Sequence, residues 1–157
     1  MSKPVVREAT EADLDEMLSL WRALEQIQGA HRLFPMVDDP ETRIAELFRE
    51  AIQDPDSAAL VIEGPEGLLG MAIARVTEQG HHSMSNARVL ELSRVVVRAD
   101  ARGKGLGTKL IEAAAAFGKE QGAAFLTAKL FTGNEEGRAF WERVGFIPRY
   151  EERIKPV

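Results

Sequence analysis

The segment Arg102-Gly103-Lys104-Gly105-Leu106-Gly107-Thr108 places a glycine at every second position from 103 to 107. It follows the β-branched run Val95-Val96-Val97 and leads into an alanine-rich amphipathic stretch, Leu106 to Gly122. A strand running into a glycine turn that opens a helix is built to hold an anion. The glycines keep side chains out of the turn, so backbone N–H groups from Gly103 through Thr108 can converge on one spot. The positive end of the helix dipole and the charges of Arg102 and Lys104 reinforce them, and together they favour an anion such as pyrophosphate.

The spacing excludes two other phosphate loops. A Walker loop needs four residues between its glycines followed by Gly-Lys-Ser/Thr, whereas Gly103 and Gly107 enclose three and the order is Gly107-Thr108-Lys109. A dinucleotide fingerprint would require glycine at position 108, where Thr108 stands, and an acidic strand end about 20 residues on, which is missing. A second chemically notable residue is Glu91, within Leu90-Glu91-Leu92-Ser93-Arg94-Val95. The two-residue period of a strand puts Glu91 and Ser93 on one side, Leu90 and Leu92 on the other. A central strand covered on both faces is nearly all apolar, so this carboxylate either does chemistry or pairs with Arg94, Arg75 or Arg88. His81-His82 does not read as a metal site: neighbours on an extended chain point apart and no third ligand accompanies them, so a solvated loop is expected.

The elements that must position these residues follow from periodicity and punctuation. Pro4 to Glu8 is strand-like. Thr10 with Asp13 is a capping-box pattern, after which Leu14, Met17, Leu18, Trp21 and Leu24 recur at helical spacing to a stop near Gly29. An irregular stretch with His31, Phe34 and Pro35 precedes Asp39 and Pro40, which cap and start a second helix with the face Ile44, Leu47, Phe48, Ala51 and Ile52. Ala58 to Glu63 and Leu68 to Thr77 flank the turn Gly64-Pro65-Glu66-Gly67 and read as an antiparallel hairpin. A polar stretch, Glu78 to Asn86, leads to a strand over Ala87 to Val97. Beyond the glycine turn come the helix ending at Gly122, a strand over Ala123 to Phe131, a helix capped by Asn134 and ended by Gly145, and a closing strand over Phe146 to Ile154. The order β-α-α-β-β-β-α-β-α-β predicts an α/β fold with a mixed twisted sheet, antiparallel first and parallel between the strands near residues 95 and 126.

At 157 residues without repeats or long linkers, the chain reads as one domain over residues 1–157. Its 45% hydrophobic content is that of a globular protein. No run nears the ~18 apolar residues of a membrane span, and Met1-Ser2-Lys3-Pro4 lacks the apolar core of a secretory signal, so no membrane association and a cytoplasmic location are expected. The absence of cysteine excludes disulfides and thiolate catalysis. A net charge of -5 argues against nucleic-acid binding, while Arg98, Arg102 and Lys104 form a local basic patch suited to a small polyanion.

The glycine loop fits Arg/Gln-x-x-Gly-x-Gly/Ala, and Asn134 followed by Ala139-Phe140-Trp141-Glu142-Arg143-Val144-Gly145-Phe146 is similar to Phe-Tyr-Glu-Lys-x-Gly-Phe. On these two motifs, in this order, the chain resembles the GNAT acyl-CoA-dependent N-acyltransferases. The resemblance implies a parallel strand pair that splays at the acyl-CoA site. It also implies a bulge in the Glu91 strand, main-chain pairing of Val95, Val96 and Val97 with the pantetheine arm, and an N–H near Val96 that polarises the thioester carbonyl. Under it, Arg102, Gly103, Lys104, Gly105, Leu106, Gly107 and Thr108 hold the pyrophosphate, Asn134 and Trp141 border the pantetheine, and Glu91 is the candidate general base. Trp141 departs from the family's frequent tyrosine, and indole cannot protonate a leaving thiolate; Tyr150 does not match that position. His31, Phe34 and Met36 fall in the link that lines the acceptor side in the family, or plug that link into the core.

The function implied is an acetyl-CoA-dependent N-acetyltransferase, with acetyl-CoA as co-substrate, no metal, and a small-molecule or peptide amine as acceptor. An acyl-CoA-binding sensor or regulatory module without catalysis, and a plain phosphate- or nucleotide-binding α/β domain, are the other classes. The closing strand and family habit favour a homodimer.

Overall fold

The structure, a computed structural model, describes residues 3–29 and 33–157. Five strands form one sheet in chain order: β1 (Val6–Glu8), β2 (Ser57–Gly64), β3 (Gly67–His81), β4 (Met84–Val97) and β5 (Phe125–Ala128). The first three pairings are antiparallel and β4–β5 is parallel, as a crossover through a helix demands. The helices are α1 (Leu14–Gln28), α2 (Pro40–Gln53), α3 (Leu106–Glu120) and α4 (Glu135–Arg143).

Local chemistry sets the helix starts. The Thr10 N–H donates to the Asp13 carboxylate at 2.8 Å, and Arg7 donates to the same carboxylate through both terminal nitrogens at 2.8 Å each. This bidentate pair fastens β1 to the start of α1 and satisfies Asp13, the one buried charged residue among the described residues. The Arg7 guanidinium, opposed by burial, holds the Asp13 carboxyl below its ordinary range. Asp39 accepts from the Thr42 N–H at 3.2 Å and Pro40 opens α2.

Two cores sandwich the sheet. On one face Met17, Leu18, Trp21 and Leu24 of α1 and Phe48 of α2 pack on Val61, Met71, Ile73 and Val96. On the other, Leu106, Leu110, Ile111 and Ala114 of α3 pack on Leu60, Ile62, Leu90 and Leu92, with Phe140, Trp141 and Phe146 against them.

The mixed α/β sheet agrees with the sequence reading, with three differences. The polar stretch from Glu78 to Asn86 is not a loop: β3 runs to His81 and β4 starts at Met84, so a long hairpin carries these residues with His82 and Ser83 at its turn. Polar residues fit there because this end of the hairpin lies beyond both cores. β5 covers only Phe125–Ala128 of the expected 123–131. The closing strand over Phe146 to Ile154 does not form; the segment is irregular, with Ile147, Tyr150 and Ile154 exposed. Pro148 removes a ladder donor, and the charges of Arg149, Glu151, Glu152 and Arg153 leave little apolar surface to bury. The expectation of a dimer loses the closing strand on which it partly rested.

Candidate active site

β3 and β4 pair in strict register until Ile73↔Arg94 is followed by Ala74↔Leu92, which leaves Ser93 as an extra residue. This is a β-bulge, and it resets the alternation of side chains. Before it, Leu90 and Leu92 face α3, so Glu91 points to the α1–α2 face. After it, Val95 and Val97 pack toward α3 while Val96 joins the opposite core, so Arg94 and Val96 share the face of Glu91. The simple period that grouped Glu91 with Ser93 stops at the bulge. Ser93 instead donates through Oγ to the Ile73 carbonyl at 3.3 Å.

Glu91 is half-buried in a cross-sheet row, Arg75↔Glu91↔Thr127. Among the described residues it makes no ion pair; Arg88 stands 3.9 Å from Asp56 instead. The structural role offered by the sequence is therefore not taken up.

The β4–β5 ladder runs from Val89↔Phe125 to Leu92↔Ala128 and ends there. β4 continues to Val97, paired with β3 through Ala72↔Val95, Met71↔Val96 and Gly70↔Val97. Along Val95–Val97 the edge toward β5 carries no ladder, so the parallel pair parts before the glycine turn. The Arg98 N–H bonds the Leu69 carbonyl at 2.7 Å, and strand alternation from there turns the N–H and C=O of Val96 into the β3 ladder and leaves those of Val95 and Val97 on the open edge, a correction to the expectation that all three offer their main chain. At the mouth of α3 Gly103 and Gly105 have φ of +81° and +75°, conformations that L side chains rarely adopt. Gly105 is the residue capping α3. A Cβ built at either glycine meets nothing within 4 Å, so the space before the turn is open. The first helical bond runs from the Lys109 N–H to the Gly105 carbonyl at 3.1 Å. The amides of Leu106, Gly107 and Thr108 thus precede the intrahelical ladder and remain available as donors.

The remaining loop residues differ in what they can offer. Leu106 buries its side chain in the α3 core, leaving only its amide to the site. Gly107 serves packing: a Cβ there would lie 2.9 Å from the Phe140 ring, so its lack of a side chain lets α4 approach α3. Arg102 is exposed and donates through Nε to the Val97 carbonyl at 3.2 Å, engaging that oxygen. Arg98 is paired with Asp100 at 2.6 Å, so the basic patch narrows to Arg102 and Lys104. Asn134 caps α4, its side chain accepting from the Gly137 N–H at 3.0 Å. Trp141 is half-buried, edge-on to Phe140 and Phe146 with ring centroids 5.1 and 4.8 Å apart.

A cleft of about 250 Å³ opens on the α1–α2 face, lined by Trp21, Glu25, Phe34, Met36, Val37, Arg43, Ile44 and Arg94 among others. Phe34 is 80% exposed, so it does not plug the link into the core. His31 lies outside the described residues. Burial lowers the Arg94 guanidinium from its ordinary range, against the opposing attraction of the Glu25 carboxylate. Sequence reasoning missed Arg94, although an arginine inside the run Leu92 to Val97 is as anomalous there as Glu91. Among the described residues no cluster of three or more His, Cys, Asp or Glu is placed to hold a metal, and no helix is long and apolar enough to cross a membrane.

The acetyltransferase (GNAT) family model matches residues 17–146, spanning α1, the glycine turn and α4. The chain belongs to the GNAT family. No curated protein matches it. Among solved structures, a single-substitution mutant of the BH1408 protein from Bacillus halodurans is 20% identical, with 98% of this chain and 99% of that one covered at a TM-score of 0.87. An aminoglycoside N-acetyltransferase, AAC(6')-Iy, solved in complex with CoA, is 18% identical over 100% of this chain and 96% of its own, with TM-score 0.77. Glucosamine-6-phosphate N-acetyltransferase from Arabidopsis thaliana is 18% identical over 99% of each chain, with TM-score 0.70. At 18–20% identity these likenesses concern the fold alone.

Proposed function

We propose that this GNAT protein is an N-acetyltransferase that transfers the acetyl group of acetyl-CoA directly to an amine acceptor. The observation that carries the reading is the parting of β4 from β5 before an α3 mouth whose turn glycines leave open space and whose first amides lack intrahelical partners. Backbone donors at a helix start, with the exposed cations Arg102 and Lys104 in the same turn, suit a diphosphate.

When bound, acetyl-CoA supplies an activated thioester carbonyl. Amides from Gly103 through Thr108 hold its diphosphate, and the main-chain groups of Val95 and Val97, which face away from β3, align the pantetheine arm. An N–H beside Val96, that of Val95 or Val97 on the open edge, polarises the carbonyl, since the N–H of Val96 itself bonds β3. Asn134 and Trp141 border the arm from α4. Glu91 accepts the proton that the acceptor ammonium must lose before its nitrogen forms the new C–N bond, directly or through one water. The C–S bond breaks as that bond forms, the nitrogen gives up its second proton to water, and water protonates the released thiolate, an acceptable leaving group with a reference pKa of about 8.5. No tyrosine acid is needed from the position of Trp141, because an alkylamine with a pKa of about 10.4 depends on a base more than the thiolate depends on an acid. Holding both substrates in attack geometry supplies the larger part of the rate, up to ~7–11 kcal/mol.

The test is release of free coenzyme A thiol from acetyl-CoA in the presence of a panel of amines. Amine-dependent release supports the proposal. Tight binding of acetyl-CoA without turnover on any amine would identify a sensor module instead.

A further inference from the structure

The cleft on the α1–α2 face contains a group that the proposed transfer chemistry does not use. Arg94 follows the bulge on β4, is half-buried, and shares a face with Glu91. Its counter-charge is the Glu25 carboxylate, and its guanidinium meets no hydrogen-bond acceptor among the described residues. A guanidinium carries five N–H donors in a planar fork that matches carboxylate or phosphate oxygens two at a time. Leaving such donors half-buried and unfilled is costly, and a ligand anion is the group that would fill them. Arg43 stands in the same wall, so among the described residues the cleft is lined by two arginines and one glutamate in a protein whose net charge is -5. Trp21, Phe34 and Met36 supply apolar surface beside them.

The cleft lies on the side where the family resemblance puts the acceptor; we propose that it selects amines also carrying an anionic group such as a carboxylate, and that Arg94 is the residue that binds the anion. The inference rests on the acetyltransferase reading above and deepens it. Arg94 lies three positions beyond Glu91, ~10 Å along the strand at most and less across a bulge. An acceptor of amino-acid size, anchored by its anion on Arg94, therefore directs its amino group toward Glu91 and the parting of β4 and β5. The volume of about 250 Å³ suits such a small molecule. The two arginines disfavour polycationic acceptors such as polyamines.

The experiment has two arms on the full chain. Calorimetry with acetyl-CoA tests the underlying reading; absence of binding overturns that reading and this inference together. Where acetyl-CoA binds, kcat/KM is compared within pairs of amines differing only in the anion: an amino acid against its amide, and an aminoalkyl phosphate against the amino alcohol, with spermidine as the polycation. The expected result is at least ten-fold preference for the anionic member of either pair. The ratio collapses in Arg94→Gln, chiefly through a raised KM for the anionic amine, and recovers in part in Arg94→Lys. Equal rates within both pairs, preference for the neutral members or spermidine, or an Arg94→Gln variant that slows all amines alike would overturn the proposal. If Arg94→Gln does not fold, the wild-type pairs decide the question alone.

Discussion

Replacing Gly105 by valine separates backbone capture of the diphosphate from capture by charge. Gly105 has φ +75° and no heavy atom within 4 Å of a built Cβ, so the protein itself offers no steric objection. The folding cost is conformational, roughly 1–2 kcal/mol for an L residue held left-handed and more for a β-branched one. At this chain length of 157 residues that lowers Tm by about 2–8 °C. Binding suffers more. The isopropyl group occupies the open space where the diphosphate is proposed to sit, and the turn tilts the first amides of α3. Loss of two charge-assisted N–H bonds at ~1.5–3 kcal/mol each weakens acetyl-CoA binding by more than about 100-fold. Lys104→Ala removes an exposed, salt-screened charge and costs no more than about five-fold. Isothermal titration of acetyl-CoA into wild type, Gly105→Val and Lys104→Ala, below each melting temperature by circular dichroism, gives the comparison. A folded Gly105→Val variant within five-fold of wild type, or a Lys104→Ala variant that binds more weakly than it, refutes the backbone account.

Glu91→Gln is expected to lower turnover ~10²–10⁴-fold and to remove the ionisation of the base from the pH–rate profile, with acetyl-CoA affinity retained; an unchanged profile takes Glu91 out of the mechanism. Asp13 has its carboxyl lowered by Arg7, so its stabilisation is present above the unfolded-state pKa of about 3.9 and is lost as pH falls through the lower folded value. Asp13→Asn should cost about 1–3 kcal/mol in urea unfolding at pH 7 and flatten the decline below pH 4, and an equally steep decline would contradict this. Gly107→Ala, ordinarily favourable inside a helix, should destabilise by about 1–3 kcal/mol because of the Phe140 ring, and most of that cost should vanish in a Phe140→Ala background. Additive effects would mean that the close approach of α4 is not the cause.

What could be read from the sequence was local. Asp13, Asp39, Pro40 and Asn134 mark helix starts by their own hydrogen bonds or ring geometry, and the structure uses each so. The glycine turn was legible because alternate glycines before a helix have few other uses. The bulge was not, since Ser93 differs from its neighbours only through the register of another strand, Ile73↔Arg94 followed by Ala74↔Leu92. Missing that single-residue slip also hid that Arg94 shares the face of Glu91. The closing strand was over-read because Phe146, Ile147, Tyr150 and Ile154 look strand-like, while pairing requires a free partner edge that composition does not report. The packing role of Gly107 is not legible, because nothing in the sequence places Phe140 against it; its amide stays among the candidate donors.

The central claim is that the amides at the α3 mouth and along the open edge of β4 hold acetyl-CoA. Titrating acetyl-CoA into ¹⁵N-labelled protein and following each backbone amide by NMR tests it directly. The account predicts that the largest shifts fall on Gly103 through Thr108 and on Val95 and Val97. Shifts confined to other parts of the sheet, or none at saturating acetyl-CoA, would contradict it.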